Sequence, residues 1–225
     1  METFVVFKVF YCIFATELTN KMKDNILKKA ADMFITLGFK SVTMDDIANE
    51  MSISKKTIYQ HFSNKTELVK NVTTYVFSSI ACGIDEIIEQ STNPIEELYD
   101  IKQFVLLQLK NEAVSPSYQL QKYYPKIFSK LKKMHFEKMH VCIINNINKG
   151  IKMGLYREGI NTELICRFYF SGMTNIKDEE LFPSASFDPI TVQNEFLEYH
   201  LRGVCTLKGI EKVEQLIKQN TNYEK

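Results

Sequence analysis

Between Thr43 and Leu68 the chain reads TMDDIANEMSISKKTIYQHFSNKTEL: two short helical stretches, a tight turn between them, and the start of a third helix. This stretch constrains the fold more than any other. Thr43 can accept a hydrogen bond from an orphan N–H at a helix start, and Asp45 and Asp46 fall in the first turn, where carboxylates suit the helix dipole. Ile47, Ala48 and Met51 form the apolar side of that helix. Ser52 and Ile53 make the turn, and Ser54 is a good N-cap for a second helix from about Lys55 to His61. The second helix buries Ile58 and Phe62 and turns Lys55, Lys56, Thr57, Tyr59, Gln60 and His61 outward. A third opens at Asn64, with Glu67 as its capping-box partner three residues on. Upstream, Ile26, Ala30, Phe34 and Leu37 recur at spacings of three and four, which predicts an amphipathic helix over 23–37 that stops at Gly38.

Helix-turn-helix geometry lays its second helix in the DNA major groove while neighbouring groups hold phosphates. Lys55, Lys56 and Gln60 carry donors long enough to reach base edges, whereas Thr43, Tyr59, His61 and Lys65 are better placed for phosphate oxygens. Residues 21–71 hold nine lysines against six acids, a net of about +3 in a chain whose total is only +1. The cationic charge therefore concentrates where the motif is.

The run from Met22 to about Val72 resembles the DNA-binding domain of the tetracycline-repressor (TetR) family. The likeness rests on the Ile-Leu-x-x-Ala-x-x-x-Phe helix, Gly38-Phe39, Thr43 before Ile47-Ala48, the run Ser54 to Phe62, and Asn64-Lys65-Thr66-Glu67-Leu68. It implies an all-helical, homodimeric transcriptional regulator, commonly a repressor, whose variable C-terminal domain binds a small inducer and forms the dimer. By position, Thr43, Tyr59, His61 and Lys65 match the phosphate-contacting places, and Lys55, Lys56, Thr57 and Gln60 lie on the base-reading helix that Ser54 caps. One departure is Ser52, where the family usually has glycine; a serine held at positive φ costs about 1 kcal/mol.

At 225 residues, 45% hydrophobic and 24% charged, the chain is long enough for one large or two small domains with a substantial core. Cys12, Cys82, Cys142, Cys166 and Cys205 are scattered and lack any Cys-x-x-Cys pair, so free thiols in a reducing cytoplasm are expected. Thr3 to Ala15 is a hydrophobic run interrupted by Lys8, too short to span a membrane and without the cationic leader of a secretory signal. With Met22 immediately ahead of the first DNA-binding helix, residues 1–21 are expected to be an upstream in-frame translation; the competing reading is an apolar arm that packs on the dimer or a membrane surface. The expected organisation is all-α: the extension 1–21, a DNA-binding domain 22–72, a helical ligand-binding and dimerisation domain 73–210, and a tail 211–225.

Beyond Val72, helices are predicted over 72–89, 95–110 and 118–124, with a break near Ser115-Pro116. A long helix follows from Pro125 to Gly154, with Gly154-Leu155-Tyr156-Arg157 after it, and two more cover about 162–175 and 190–207. Phe168, Phe170, Phe196, Leu197, Leu201 and Val204 on these last two are candidates for the dimer interface. Dimerisation also follows from recognition, since two reading heads about one DNA turn apart engage a palindrome. Tyr118, Tyr123, Phe128, His135, Cys142, Cys166 and Tyr169 combine apolar bulk with a polar or polarisable end and are candidates for lining an effector pocket. An effector there is expected to change the separation of the two heads and release DNA. His135 and His140 are five apart on the long helix, a spacing that does not suit a shared metal ion. No phosphate loop, nucleophile elbow or zinc motif is present, so neither enzymatic activity nor a cofactor is expected. The alternatives are an activator, or an effector-binding or scaffold protein whose headpiece no longer binds DNA.

Overall fold

The computed structural model describes residues 21–108 and 116–223. The extension before Lys21, and the break at Ser115, lie outside the described residues. Helix α1 occupies residues 21–37. It is followed by α2 (Met44–Glu50), α3 (Lys55–His61), α4 (Lys65–Gln90), α5 (Pro94–Gln108), α6 (Pro116–Tyr123), α7 (Pro125–Lys152), α8 (Thr162–Asn175), α9 (Pro189–Val204) and α10 (Leu207–Tyr223). Among the described residues the only strand-like feature is an antiparallel bridge between Tyr156 and Cys205. None of the described helices is long and apolar enough to cross a membrane.

The chain divides into two units: the first runs to Ile80 and also takes in Leu107–Lys132, and the second comprises Ala81–Leu106 and the residues from Lys133 onward. The head is thus larger than the expected 22–72. The physical reason is its core: Ile26, Ala30, Phe34, Ile47, Ile58, Phe62 and Leu68 are fully enclosed, and Leu120 of α6 joins them at 2% exposure. Tyr124, Ile127, Phe128 and Leu131 pack on the same cluster. Leu37, expected in the α1 stripe, is instead exposed. Gly38 ends the helix with φ +87°, and the Phe39 ring that follows is buried and stacks 5.0 Å from Phe34.

In the second unit, Ile95, Leu98, Ile143, Ile147, Tyr156, Cys166, Tyr169, Leu197, Leu201 and Val213 form the core. Residues 211–223, expected as a tail, belong to α10, because Val213 is fully buried and Ile210, Leu216 and Ile217 pack beside it. The turn after α7 explains the Gly-Leu-Tyr-Arg run. Gly154 takes φ +68°, and the next residues pair with the α9–α10 junction through Arg157 N–H to Val204 O and Thr206 N–H to Leu155 O, both 2.9 Å.

Two sequence expectations change here. Leu197, Leu201 and Val204 are buried in the protomer's own core, so their side chains are not available to a second subunit. Phe196 is half-buried, its ring pressed against Gly172 and Tyr169, and Phe170 stacks edge-on to Phe136 at 5.1 Å. Of the six candidates, Phe168 alone presents a largely exposed ring, at 65%. Of the expected pocket residues, Tyr118, Tyr123 and Phe128 belong to the first unit, and His135, Cys142, Cys166 and Tyr169 to the second. Tyr118 and Tyr123 are exposed, with the Lys122 ammonium over both rings, and His135 is exposed on α7. Cys166 and Tyr169 are buried core, and Cys142 is half-buried.

Candidate nucleic-acid interface

The interface is built outward from the caps of α2 and α3. Thr43 begins α2 with extended backbone, and its hydroxyl oxygen accepts from the Asp46 N–H at 3.1 Å. Asp46 answers by accepting from the Thr43 N–H and hydroxyl, both at 2.8 Å. This reciprocal capping box fixes the helix start. The same contacts, the Thr43 N–H foremost, hold the Asp46 carboxyl below its ordinary pKa.

The turn that follows is closed by Met51 N–H to Ile47 O, Ser52 N–H to Asn49 O and Ile53 N–H to Ala48 O, each at 3.0 Å. Ser52 is held at φ +53°, the only described non-glycine residue at positive φ. Ser52→Gly removes the steric cost of that conformation, about 1–2 kcal/mol, but adds unfolded-chain entropy of about 0.5–1 kcal/mol. The expected net gain is about 0–1.5 kcal/mol, read as a midpoint in denaturant unfolding that is unchanged or higher; a lower midpoint would mean that the serine side chain stabilises the turn.

Ser54 starts α3, its hydroxyl accepting from the Thr57 N–H at 3.1 Å and sharing a 2.8 Å hydrogen bond with the Thr57 hydroxyl. One face of α3 is anchored by Ile58 and, just after the helix, Phe62. The opposite face leaves Ser54, Lys55, Lys56, Tyr59 and Gln60 exposed, with Thr57 and His61 half-buried at its edges. At the head of α4, Asn64 accepts from the Glu67 N–H at 2.9 Å, and Glu67 reaches one residue further back than expected, to the Ser63 N–H and hydroxyl at 2.8 and 2.6 Å.

Two side chains were not legible in the sequence. Asp45, in the first turn of α2, forms a 2.7 Å ion pair with Lys55 that raises the lysine pKa, and the Lys55 ammonium also lies 6.0 Å from the Tyr59 ring centroid. The signal was available in principle, because the two short helices of such a motif cross and bring their first turns together. The other is Gln119 of α6, which accepts from the Lys40 N–H at 3.0 Å; nothing in its local sequence marks it. Lys65 is half-buried, its ammonium donating to the Lys40 carbonyl at 3.2 Å, and burial pushes its pKa down against the opposing pull of Asp46.

An exposed row of cationic, amide and hydroxyl donors on a short rigid helix, flanked by capped helix starts, suits a polyanion with readable edges. Comparison with known proteins agrees. The model of bacterial regulatory proteins of the tetR family matches residues 26–72. Over 176 residues the chain is 24% identical to the uncharacterized HTH-type transcriptional regulator YerO of Bacillus subtilis (strain 168), covering 72% of this chain and 61% of that protein. It is 25% identical over 199 residues to the HTH-type transcriptional repressor KstR2 of Mycolicibacterium smegmatis (strain ATCC 700084 / mc(2)155), covering 83% of this chain and 92% of that one. Its fold is similar to the crystal structure of a TetR transcription regulator from Haloarcula marismortui ATCC 43049, with a TM-score of 0.69 at 15% identity over 83% of this chain and all of that one. With the headpiece signature and the family match in agreement, residues 26–72 are a DNA-binding domain of the tetR-family type, and the chain is a DNA-binding transcriptional regulator.

Proposed function

We propose that this regulator is a repressor that binds a palindromic operator as a homodimer and is released by a small, largely apolar effector held in its second unit. The observation that carries the reading is the exposed face of α3, where Lys55, Lys56, Tyr59 and Gln60 stand clear of the head's core. The repressor assignment is supported by the name of the relative KstR2, which the chain matches over most of both lengths. The dimer is supported by exposed apolar side chains on α8 and α9, Leu164, Phe168 and Tyr199. Cys142 and Tyr169, on α7 and α8, remain candidates for the effector site. To act as a switch, the effector must prefer the released state by about 10⁴-fold to move the population from 1:99 to 99:1.

Selection of bound sequences from random DNA tests the proposal directly, since recovery of an inverted repeat establishes operator, symmetry and half-site spacing together. The same assay separates the roles of individual residues. Lys55→Ala and Gln60→Ala should change which bases are recovered, at a cost of about 1–3 kcal/mol on the preferred site. Lys65→Ala and Tyr59→Phe should weaken binding to all duplexes alike, and loss of the Lys65 charge from both heads should lower the salt slope by about 1.8, roughly 0.9 for each phosphate contact. If Lys55→Ala and Gln60→Ala left affinity and preference unchanged, α3 would not be the reading helix.

A further inference from the structure

The short segment from Gly38 to Lys40, between α1 and α2, is gripped from two sides within the first unit. On one side is α6, 79 positions further along the chain: Gln119 Oε1 accepts from the Lys40 N–H at 3.0 Å. The glutamine amide lies directly on Gly38, so closely that a Cβ there would fall 2.5 Å from it. Leu120 beside it is buried in the head's core, the Tyr124 ring meets Phe39 edge-on at 6.4 Å, and the Lys40 ammonium lies 5.4 Å from the Tyr123 ring centroid. On the other side, the Lys40 carbonyl accepts from Lys65 Nζ at 3.2 Å. One residue thus carries both contacts, its N–H held by α6 and its carbonyl holding the lysine expected to meet a phosphate.

We propose that Gln119 is a positioning residue for DNA binding: by fixing the Lys40 backbone, it holds Lys65 and the Thr43 helix start where they meet the phosphate backbone. The inference rests on the DNA-binding reading, whose own test is the selection of bound sequences with the wild-type protein. A lysine side chain has about 2 kcal/mol of rotamer entropy to lose on making a defined contact. A carbonyl fixed from α6 keeps the Lys65 ammonium near its working place, so less of that freedom remains to be lost on binding. Phe39 stays anchored in the core, but the exposed Lys40 peptide, released from Gln119, loses the contact that fixes its N–H, and its carbonyl holds the ammonium less closely.

The test uses the full chain and a short duplex of arbitrary sequence, because phosphate contacts do not depend on the operator. Gln119→Met keeps the side-chain length and removes the acceptor. It should leave the circular dichroism spectrum unchanged, speed hydrogen exchange at the Lys40 amide, and weaken duplex binding about three- to tenfold, the size of one ordinary hydrogen bond. In a Lys65→Met background, the same change should cost less than about twofold, because the residue through which it acts is gone. Equal losses in the two backgrounds would overturn the proposal, as would unchanged affinity in Gln119→Met alone or an unaltered exchange rate at Lys40.

Discussion

Replacing Glu97 with alanine should destabilise the second unit by about 3 kcal/mol, more than any change on the DNA-facing surface. Glu97 is a charged residue at 2% exposure, an environment that carboxylates enter only with compensation. Its compensation is complete: Oε1 accepts from Asn146 Nδ2 at 2.7 Å and Oε2 from Lys149 Nζ at 3.0 Å. Asn146 donates also to Pro94 O at 2.8 Å and accepts from the Tyr156 hydroxyl at 3.1 Å, while Lys149 reaches Ser91 O at 2.8 Å. The network ties the start of α5 to the C-terminal half of α7 and to the turn after it. No buried side-chain polar atom among the described residues lacks a partner, and removing the carboxylate leaves Asn146 Nδ2 with only one of its two acceptors, Pro94 O. Lys149 is partly exposed and can turn its charge to water, which places the cost at the lower end of the range for broken buried pairs. For a chain of this size the loss corresponds to a fall in melting temperature of about 6–12 °C. Glu97→Gln retains an acceptor for Asn146 and gives up only the charge, so it should cost clearly less than Glu97→Ala. A Glu97→Ala melting temperature within about 1 °C of wild type would show that the network carries little of the stability.

The head was legible in the sequence because its signals are local. Thr43, Ser54 and Asn64 act within three residues of themselves, and Ile47, Ile58 and Phe62 set by spacing which side of each short helix turns inward. The second unit was legible as helices and opaque as surfaces. Leu197, Leu201 and Val204 recur at the spacing of an apolar face, but periodicity does not say whether a face meets its own chain or another; here it shares a core with Val213 of α10, whose Ile210, Val213 and Ile217 repeat at three and four. Gln119 and the aromatic residues of α6 had no local signature at all. Their role depends on α6 packing against a turn 79 positions earlier, a contact set by tertiary structure alone.

Phe168→Asp combined with Tyr199→Asp should convert the protein into a monomer and reduce operator affinity by about 10²–10⁴-fold, the gain that linking two binding modules ordinarily gives. In the protomer these rings are 65% and 78% exposed, far more than aromatic side chains of this size usually are. Leu164 lies one turn before Phe168 on α8, and Gly203 lies one turn after Tyr199 on α9 with open space where a Cβ would stand, so each helix carries an exposed apolar stretch. In the proposed homodimer a two-fold axis repeats each side chain, so the double variant would place four carboxylates where the proposed interface places four rings. Buried like charges at that density cost several kcal/mol, enough to separate subunits at micromolar concentration. Because neither ring belongs to the protomer's core, helicity by circular dichroism should be retained, which distinguishes dissociation from unfolding. Sedimentation equilibrium reads the mass, and a salt titration of DNA binding reads the number of phosphates engaged: the slope should fall by about half, since one head contacts half as many. A variant that still sediments as a dimer would place the interface elsewhere on the protomer, and a monomer whose operator affinity matched the wild type would show that one head is sufficient for recognition.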